Sequence, residues 1–192
     1  AKLTIEAGAI GKFELKKGLV VALGAALDVA GTVPEPVVFT SIRDDLHGGD
    51  DNGDADETTP YAGDWRWLFI DGAEAMIEHA VMVYGGGTPS GAYEAAGILR
   101  VAGDATVTVR NSVLREAPFE AVKTEGGQTT LTGCVIANAD RGLTVDGVSA
   151  LHLLNSTLEN NGTGLWGHVG SWAGPNGVFG RNRFPGIATP LS

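Results

Sequence analysis

Val109-Arg110-Asn111-Ser112-Val113-Leu114 decides the fold, because its pattern returns twice. Moved on by about 22 residues it meets Leu131-Thr132-Gly133-Cys134-Val135-Ile136, and moved again it meets Leu153-Leu154-Asn155-Ser156-Thr157-Leu158. Large apolar residues hold the first and last positions each time. Small Ser112, Cys134 and Ser156 fall between them in register.

A second stripe accompanies the first. Gly97-Ile98, Ala121-Val122, Gly142-Leu143 and Gly164-Leu165 align as small then apolar, with Trp67-Leu68 extending the series backwards. Glycine follows at Gly72, Gly103, Gly126 and Gly147. Outward again, His79-Ala80-Val81-Met82 matches Asn111-Ser112-Val113-Leu114 once about ten extra residues are allowed around Gly87 to Gly91.

A lap of this length holds two or three short strands joined by tight turns, and each strand pairs with its equivalent one lap on, at about 4.8 Å. One lap cannot bury its own inner face, so stacked laps share a core, and that selects columns of like residues. Glycine, 29 of 192 residues, is too frequent for helices, and no 3.6-residue apolar stripe persists. The prediction is an all-β chain, a single-stranded right-handed parallel β-helix (β-solenoid). It has about seven coils of roughly 22 residues in one domain, 1–192. Leu3 to Ile10, Leu19 to Val29 and Val37 to Thr40 read as the earlier strands, cut by Gly8, Gly18, Gly24 and Gly31. Two insertions leave the stack, an acidic one over 43–64 and a shorter one over 85–96. Stacked coils end in open strand edges, so end-to-end self-association or continuation into a longer chain is expected. Arg181 to Ser192, with Pro185 and Pro190, reads as a cap over the far end.

Lys and Arg number 13 against 23 Asp and Glu, for a net charge of −10. That balance argues against nucleic acid and anionic membranes as partners. The longest apolar stretch, Gly18 to Ala30, is broken by Gly24 and Asp28 and is too short to span a bilayer. The chain opens in strand-like sequence with no signal peptide, as a mature or trimmed fragment would. Cys134 is the only cysteine and reads as an inert buried thiol. Asn155-Ser156-Thr157 and Asn161-Gly162-Thr163 match the glycosylation tripeptide, a pattern common by chance.

Gly31-Thr32, then Pro36-Val37-Val38-Phe39-Thr40-Ser41-Ile42-Arg43-Asp44-Asp45, then Gly48-Gly49-Asp50, then Pro60 and Gly63-Asp64-Trp65 form a block over roughly residues 1 to 85. The block resembles one found in secreted and surface proteins of bacteria that carry right-handed parallel β-helix repeats, in the pectate-lyase-like superfamily. The resemblance implies the fold and an extracellular or bacterial cell-surface location. It does not select an activity, since polysaccharide-cleaving enzymes, tailspikes and adhesins share the scaffold.

Within the acidic insertion, Asp50, Asn52, Asp54 and Asp56 place oxygen ligands at alternate positions, as a loop wrapping Ca²⁺ does. Ala55 stands where EF-hand-like loops have glycine, and Tyr61 where they have a bidentate acid. Asp44, Asp45 or Asp64 are the residues available to complete the set. Seven acids between Asp44 and Glu57 face only Arg43 and His47, a repulsion that a cation would relieve. A solvated acidic loop is the plain alternative. Structural Ca²⁺ held by Asp50, Asn52, Asp54, Asp56, Asp45 and Asp64 is the expectation.

Catalysis is harder to place. Asn138-Ala139-Asp140 and Gly167-His168 match fragments of a galacturonase-like pattern, but no paired aspartates follow. A lyase base would come from Arg100, Arg110, Arg115, Lys123 or Arg141, with Glu116 and Glu159 on nearby coils. His79 is expected on an inward-leaning column with Asn111, Gly133 and Asn155, and His152 is expected to face solvent. Tyr61, Trp65, Trp67, Trp166 and Trp172 offer either packing or sugar stacking, with Trp65 and Trp67 predicted on one strand face. The expected function is a non-catalytic extracellular structural or adhesive module. The alternative is a Ca²⁺-dependent polysaccharide-active lyase or hydrolase, or a carbohydrate-binding module, with polysaccharide or cell-surface glycan as partner.

Overall fold

The computed structural model describes residues 1–55, 57–88, 97–147, 149–167, 178–186 and 189–191. Among these there is no helix. The strands recur in short groups: β1 (Lys2–Glu6), β2 (Ile10–Phe13) and β3 (Leu19–Val21); β4 (Ala26–Ala30), β5 (Val37–Ser41) and β6 (Leu68–Asp71); β7 (Glu74–Glu78), β8 (Ala80–Val83) and β9 (Leu99–Ala102). From there two strands merge into one long one: β10 (Thr106–Arg110) and β11 (Val113–Thr124), then β12 (Gly127–Thr132) and β13 (Val135–Val145). The series closes with β14 (Ser149–Leu154), β15 (Thr157–Glu159), β16 (Thr163–Gly167), β17 (Val178–Gly180) and β18 (Thr189–Leu191).

All the strand pairings are parallel and join equivalent members of successive groups. One seven-stranded sheet runs β1-β4-β7-β10-β12-β14-β17. The remaining eleven strands form a second sheet that curls strongly. It has two branches, because β11 pairs β8 through Val113–Arg115 and β9 through Val122–Thr124, with an irregularity between Ala117 and Glu120. This architecture is all-β and consistent with a β-solenoid. Thr106 pairs with Gln128 and Gln128 with Ala150, the separation of 22 residues expected from the repeat.

Alternation explains the core. Val109, Leu131 and Leu153 pair in register and are fully buried, as are Leu114, Ile136 and Leu158. Their neighbours on each strand are half-buried or exposed, except buried Ala137. The offset that matches Ala80-Val81-Met82 to Ser112-Val113-Leu114 is also observed. The small-residue column lies at a corner beside a column of left-handed backbone: His79, Asn111, Gly133 and Asn155 have φ of 47, 50, 67 and 51°. His79 therefore sits half-buried on a turn instead of leaning inward, and its backbone N–H donates to Arg110 C=O. Asparagine tolerates this conformation better than most residues.

Three further expectations change. Leu99, and not Ile98, pairs with Val122 and with Leu68. Both residues are buried and apolar, so composition could not choose the register, while Gly97 is held small by the Lys123 backbone. Trp65 and Trp67 do not alternate on one strand face, because β6 begins only at Leu68. Of the cap read over Arg181 to Ser192, the described part continues the sheets: Arg183 bridges Thr157, and β18 pairs with β16.

Candidate metal centre

The acidic insertion leaves β5 and returns just before β6, and buried aspartates hold both ends. Asp44 receives the Thr40 hydroxyl and pairs with His47 Nδ1 at 2.7 Å. Asp64 receives the Ser41 hydroxyl at 2.7 Å and the Tyr61 N–H at 3.3 Å, with Arg43 Nη1 3.6 Å away. Only 1% and 2% of these two residues is exposed. A buried carboxylate needs hydrogen-bond partners to replace water, and adjacent Thr40 and Ser41 on β5 supply them, fastening the two ends of one loop. A tryptophan completes the neck. Trp65 is fully buried, stacks on Phe13 with ring centroids 4.7 Å apart, and donates its indole N–H to Val83 C=O at 2.7 Å.

Further out, the loop turns around Asp50. Its Oδ1 accepts the N–H groups of Gly53 and Asp54, and its Oδ2 accepts that of Ala55 at 2.9 Å. These bonds, led by the one from Ala55, draw the Asp50 carboxyl below its ordinary range, with a lesser contribution from Lys12. The turn requires φ of 56° at Ala55, the position where a glycine would be expected. Lys12 anchors the rim, reaching Gly49 C=O and Asp51 Oδ2, the latter at 2.9 Å.

The turn brings together Asp45, Asp50 and Asp54, one carboxylate oxygen from each lying within 4.8 Å of the others. Asn52 joins them by donating from Nδ2 to Asp54 Oδ2 at 2.8 Å and to Thr58 Oγ1 at 3.1 Å. Asn52 Oδ1 and Asp54 Oδ1 are buried from water and accept no hydrogen bond. Three of the six ligands expected from sequence thus bring carboxylate oxygens together, and Asn52 is tied to Asp54 through its amide nitrogen. Asp64 does not join the group, because its carboxylate is engaged at the neck. Asp56 lies outside the described residues.

The other candidates are distributed through the framework. Asn138 and Glu116 stack one lap apart in left-handed turns, and Asn138 Nδ2 donates to Glu116 Oε1 at 2.6 Å. Asn161 is buried, takes the Ala139 N–H on Oδ1 and donates from Nδ2 to Ile136 C=O, which leaves its amide closed to glycosylation. Burial raises the Cys134 thiol, in keeping with an inert side chain. Arg66 and Arg100 lie over Trp67, at 3.7 and 4.9 Å from its centroid, and Arg141 lies 4.7 Å from that of Trp166. Trp172 and His168 lie outside the described residues.

One charged residue escaped the sequence reading. Glu120 is 1% exposed on β11, with Arg141 Nη1 at 3.0 Å from Oε1 and with no partner for Oε2. Burial pushes its carboxyl up, and Arg141 and Lys123 pull it back only in part. The irregularity in β11 places Glu120 opposite Arg141, 21 residues away, the same offset by which Ala121-Val122 aligns with Gly142-Leu143. Arg100 and Lys123 in turn both pair with Glu125. Three of the five possible lyase bases are therefore held by carboxylates.

No family model matches the chain, and neither a curated protein nor a solved structure matches it.

Proposed function

We propose that the chain is a right-handed parallel β-helix of about seven coils. It serves as a structural or adhesive module outside the cell or on a bacterial surface, with Ca²⁺ fixing the acidic insertion to the stack. Handedness follows from the general rule that crossovers between parallel strands are right-handed, and the coil count from the seven strands of the first sheet. The resemblance of residues 1 to 85 to bacterial β-helix repeats points the same way.

The observation carrying the metal reading is the convergence of Asp45, Asp50 and Asp54 with the buried, unaccepting oxygens of Asn52 and Asp54. Carboxylate and amide oxygens without nitrogen or sulfur suit a hard cation taking six to eight oxygens. A structural role fits the position, because the same loop contacts β2 through Lys12 and β5 through its neck. Extracellular modules bind Ca²⁺ at roughly 10⁻⁴–10⁻³ M, a range that a partly exposed site of this kind would serve outside the cell.

Calorimetry on chelator-stripped protein tests it. Ca²⁺ should release or absorb heat and raise the melting temperature, D54N should weaken both effects, and Mg²⁺ should compete poorly. No heat and no shift would remove the metal from the proposal. A glycan array and an assay for unsaturated uronate product should both be blank; lyase turnover would favour the enzyme reading instead.

A further inference from the structure

Two asparagine–glycine steps among the described residues share the same local chemistry and have opposite surroundings. They are Asn52-Gly53 in the acidic insertion and Asn161-Gly162 between β15 and β16. In such a step the peptide nitrogen of the glycine can attack the side-chain carbon of the asparagine. A ring N–C bond forms, the C–N bond to the amide breaks, and ammonia leaves with the proton given up by the peptide nitrogen. Water then opens the cyclic imide at one carbonyl or the other, giving aspartate or isoaspartate. The sum is amide plus water to carboxylate plus ammonium. Glycine favours the attack, because it has no Cβ to obstruct the nitrogen and its backbone rotates freely.

The fold closes one step and leaves the other open. Asn161 is 2% exposed, its Oδ1 takes the Ala139 N–H at 2.9 Å and its Nδ2 donates to Ile136 C=O at 2.9 Å. Gly162 N–H donates to Ala139 C=O at 3.0 Å, and a Cβ on Gly162 would lie 2.8 Å from Asp140 C=O. Neither reacting group can turn toward the other without breaking buried bonds. Gly53 is exposed, and beyond its chain neighbours no atom lies within 4 Å of the place a Cβ would take. The proton that must leave has an acceptor in place, since Gly53 N–H donates to Asp50 Oδ1 at 2.7 Å. Asn52 is only half-buried, so the hydrolytic water has access.

Conversion changes what holds the turn. The Asn52 Nδ2 bonds to Asp54 and Thr58 are lost, and in the aspartate product a carboxylate faces Asp54 beside Asp45 and Asp50. Like charges this close repel unless a cation lies between them. We propose that Asn52-Gly53 is a site of spontaneous deamidation, by which the insertion exchanges an amide-bonded turn for one that demands a cation. The second half rests on the Ca²⁺ reading above; the first does not.

Peptide mapping by mass spectrometry, after incubation in mildly alkaline buffer with chelator, tests it. The Asn52 peptide should gain the amide-to-acid mass and separate into aspartate and isoaspartate forms, while the Asn161 peptide stays unchanged until the protein is denatured. G53A should slow conversion on the order of tenfold, with the β-sheet spectrum unchanged, because a Cβ obstructs the nitrogen and restricts its rotation. An Asn52 peptide that keeps its mass, or two peptides that convert at one rate in the folded protein, overturns the modification. Calorimetry on N52D reads the consequence: Ca²⁺ should bind on the order of tenfold more tightly than to the unconverted protein, through one added charged ligand. Equal affinity overturns the cation half alone, and an absence of heat from both proteins removes the Ca²⁺ reading while the modification stands.

Discussion

Ser156 Oγ accepts the backbone N–H of Cys134, 22 residues earlier and 3.1 Å away. The same hydroxyl donates to Leu154 C=O at 2.9 Å, and two laps back Ser112 repeats both bonds, with Ala80 N–H and Arg110 C=O. The column is a corner joint: each small polar side chain satisfies a buried backbone donor on the preceding coil. Removing the acceptor leaves that N–H unpaired, so S156A should cost about 1–3 kcal/mol in urea unfolding. C134S, which copies its neighbours above and below, should cost under about 1 kcal/mol. Equal losses in the two variants would show that the bond is not what matters.

Trp65 should be the costliest single truncation in the neck of the insertion. W65A removes a fully buried indole stacked on Phe13 and should destabilise by about 3–5 kcal/mol. G85A tests the same packing from the other side, because a Cβ there would lie 2.8 Å from the Trp65 ring. A loss of about 1–3 kcal/mol is expected from that overpacking, read from thermal melts.

Glu120 makes stability fall as pH rises. Burial raises its carboxyl in the folded chain above the ordinary glutamate value. Between those two values the folded state keeps a proton that the unfolded state has released, so unfolding becomes easier with rising pH across that window and stays so above it. E120Q should remove this slope in urea melts taken at several pH values. Asp50 works in the opposite sense. Its lowered carboxyl stabilises the loop above the ordinary aspartate range, and that contribution disappears as pH falls through the lowered value.

Ala55 holds a left-handed φ of 56° in the turn that donates to Asp50. A55G should relieve about 1 kcal/mol of that strain, less than the full left-handed penalty because glycine also gains freedom in the unfolded chain. Asp50 already holds the turn through three backbone N–H groups, so the gain should appear as stability in urea unfolding while Ca²⁺ affinity changes little. A large gain in affinity by calorimetry would show instead that the turn forms only on binding.

The chain's own residues set the repeat, because a parallel stack selects like residues at equal spacing, and Ser112, Cys134 and Ser156 could be aligned without coordinates. The acidic alternation of Asp50, Asn52 and Asp54 was legible for the same reason: spacing along one loop is local. Tertiary structure alone decided the rest. Leu99 over Ile98, the burial of Trp65 and of Glu120 and the assignment of Asp64 to the neck all depend on how insertions and neighbouring laps come into contact. A one-residue slip leaves composition unchanged and turns a side chain to the other face, so that information exists only once neighbouring laps are in contact.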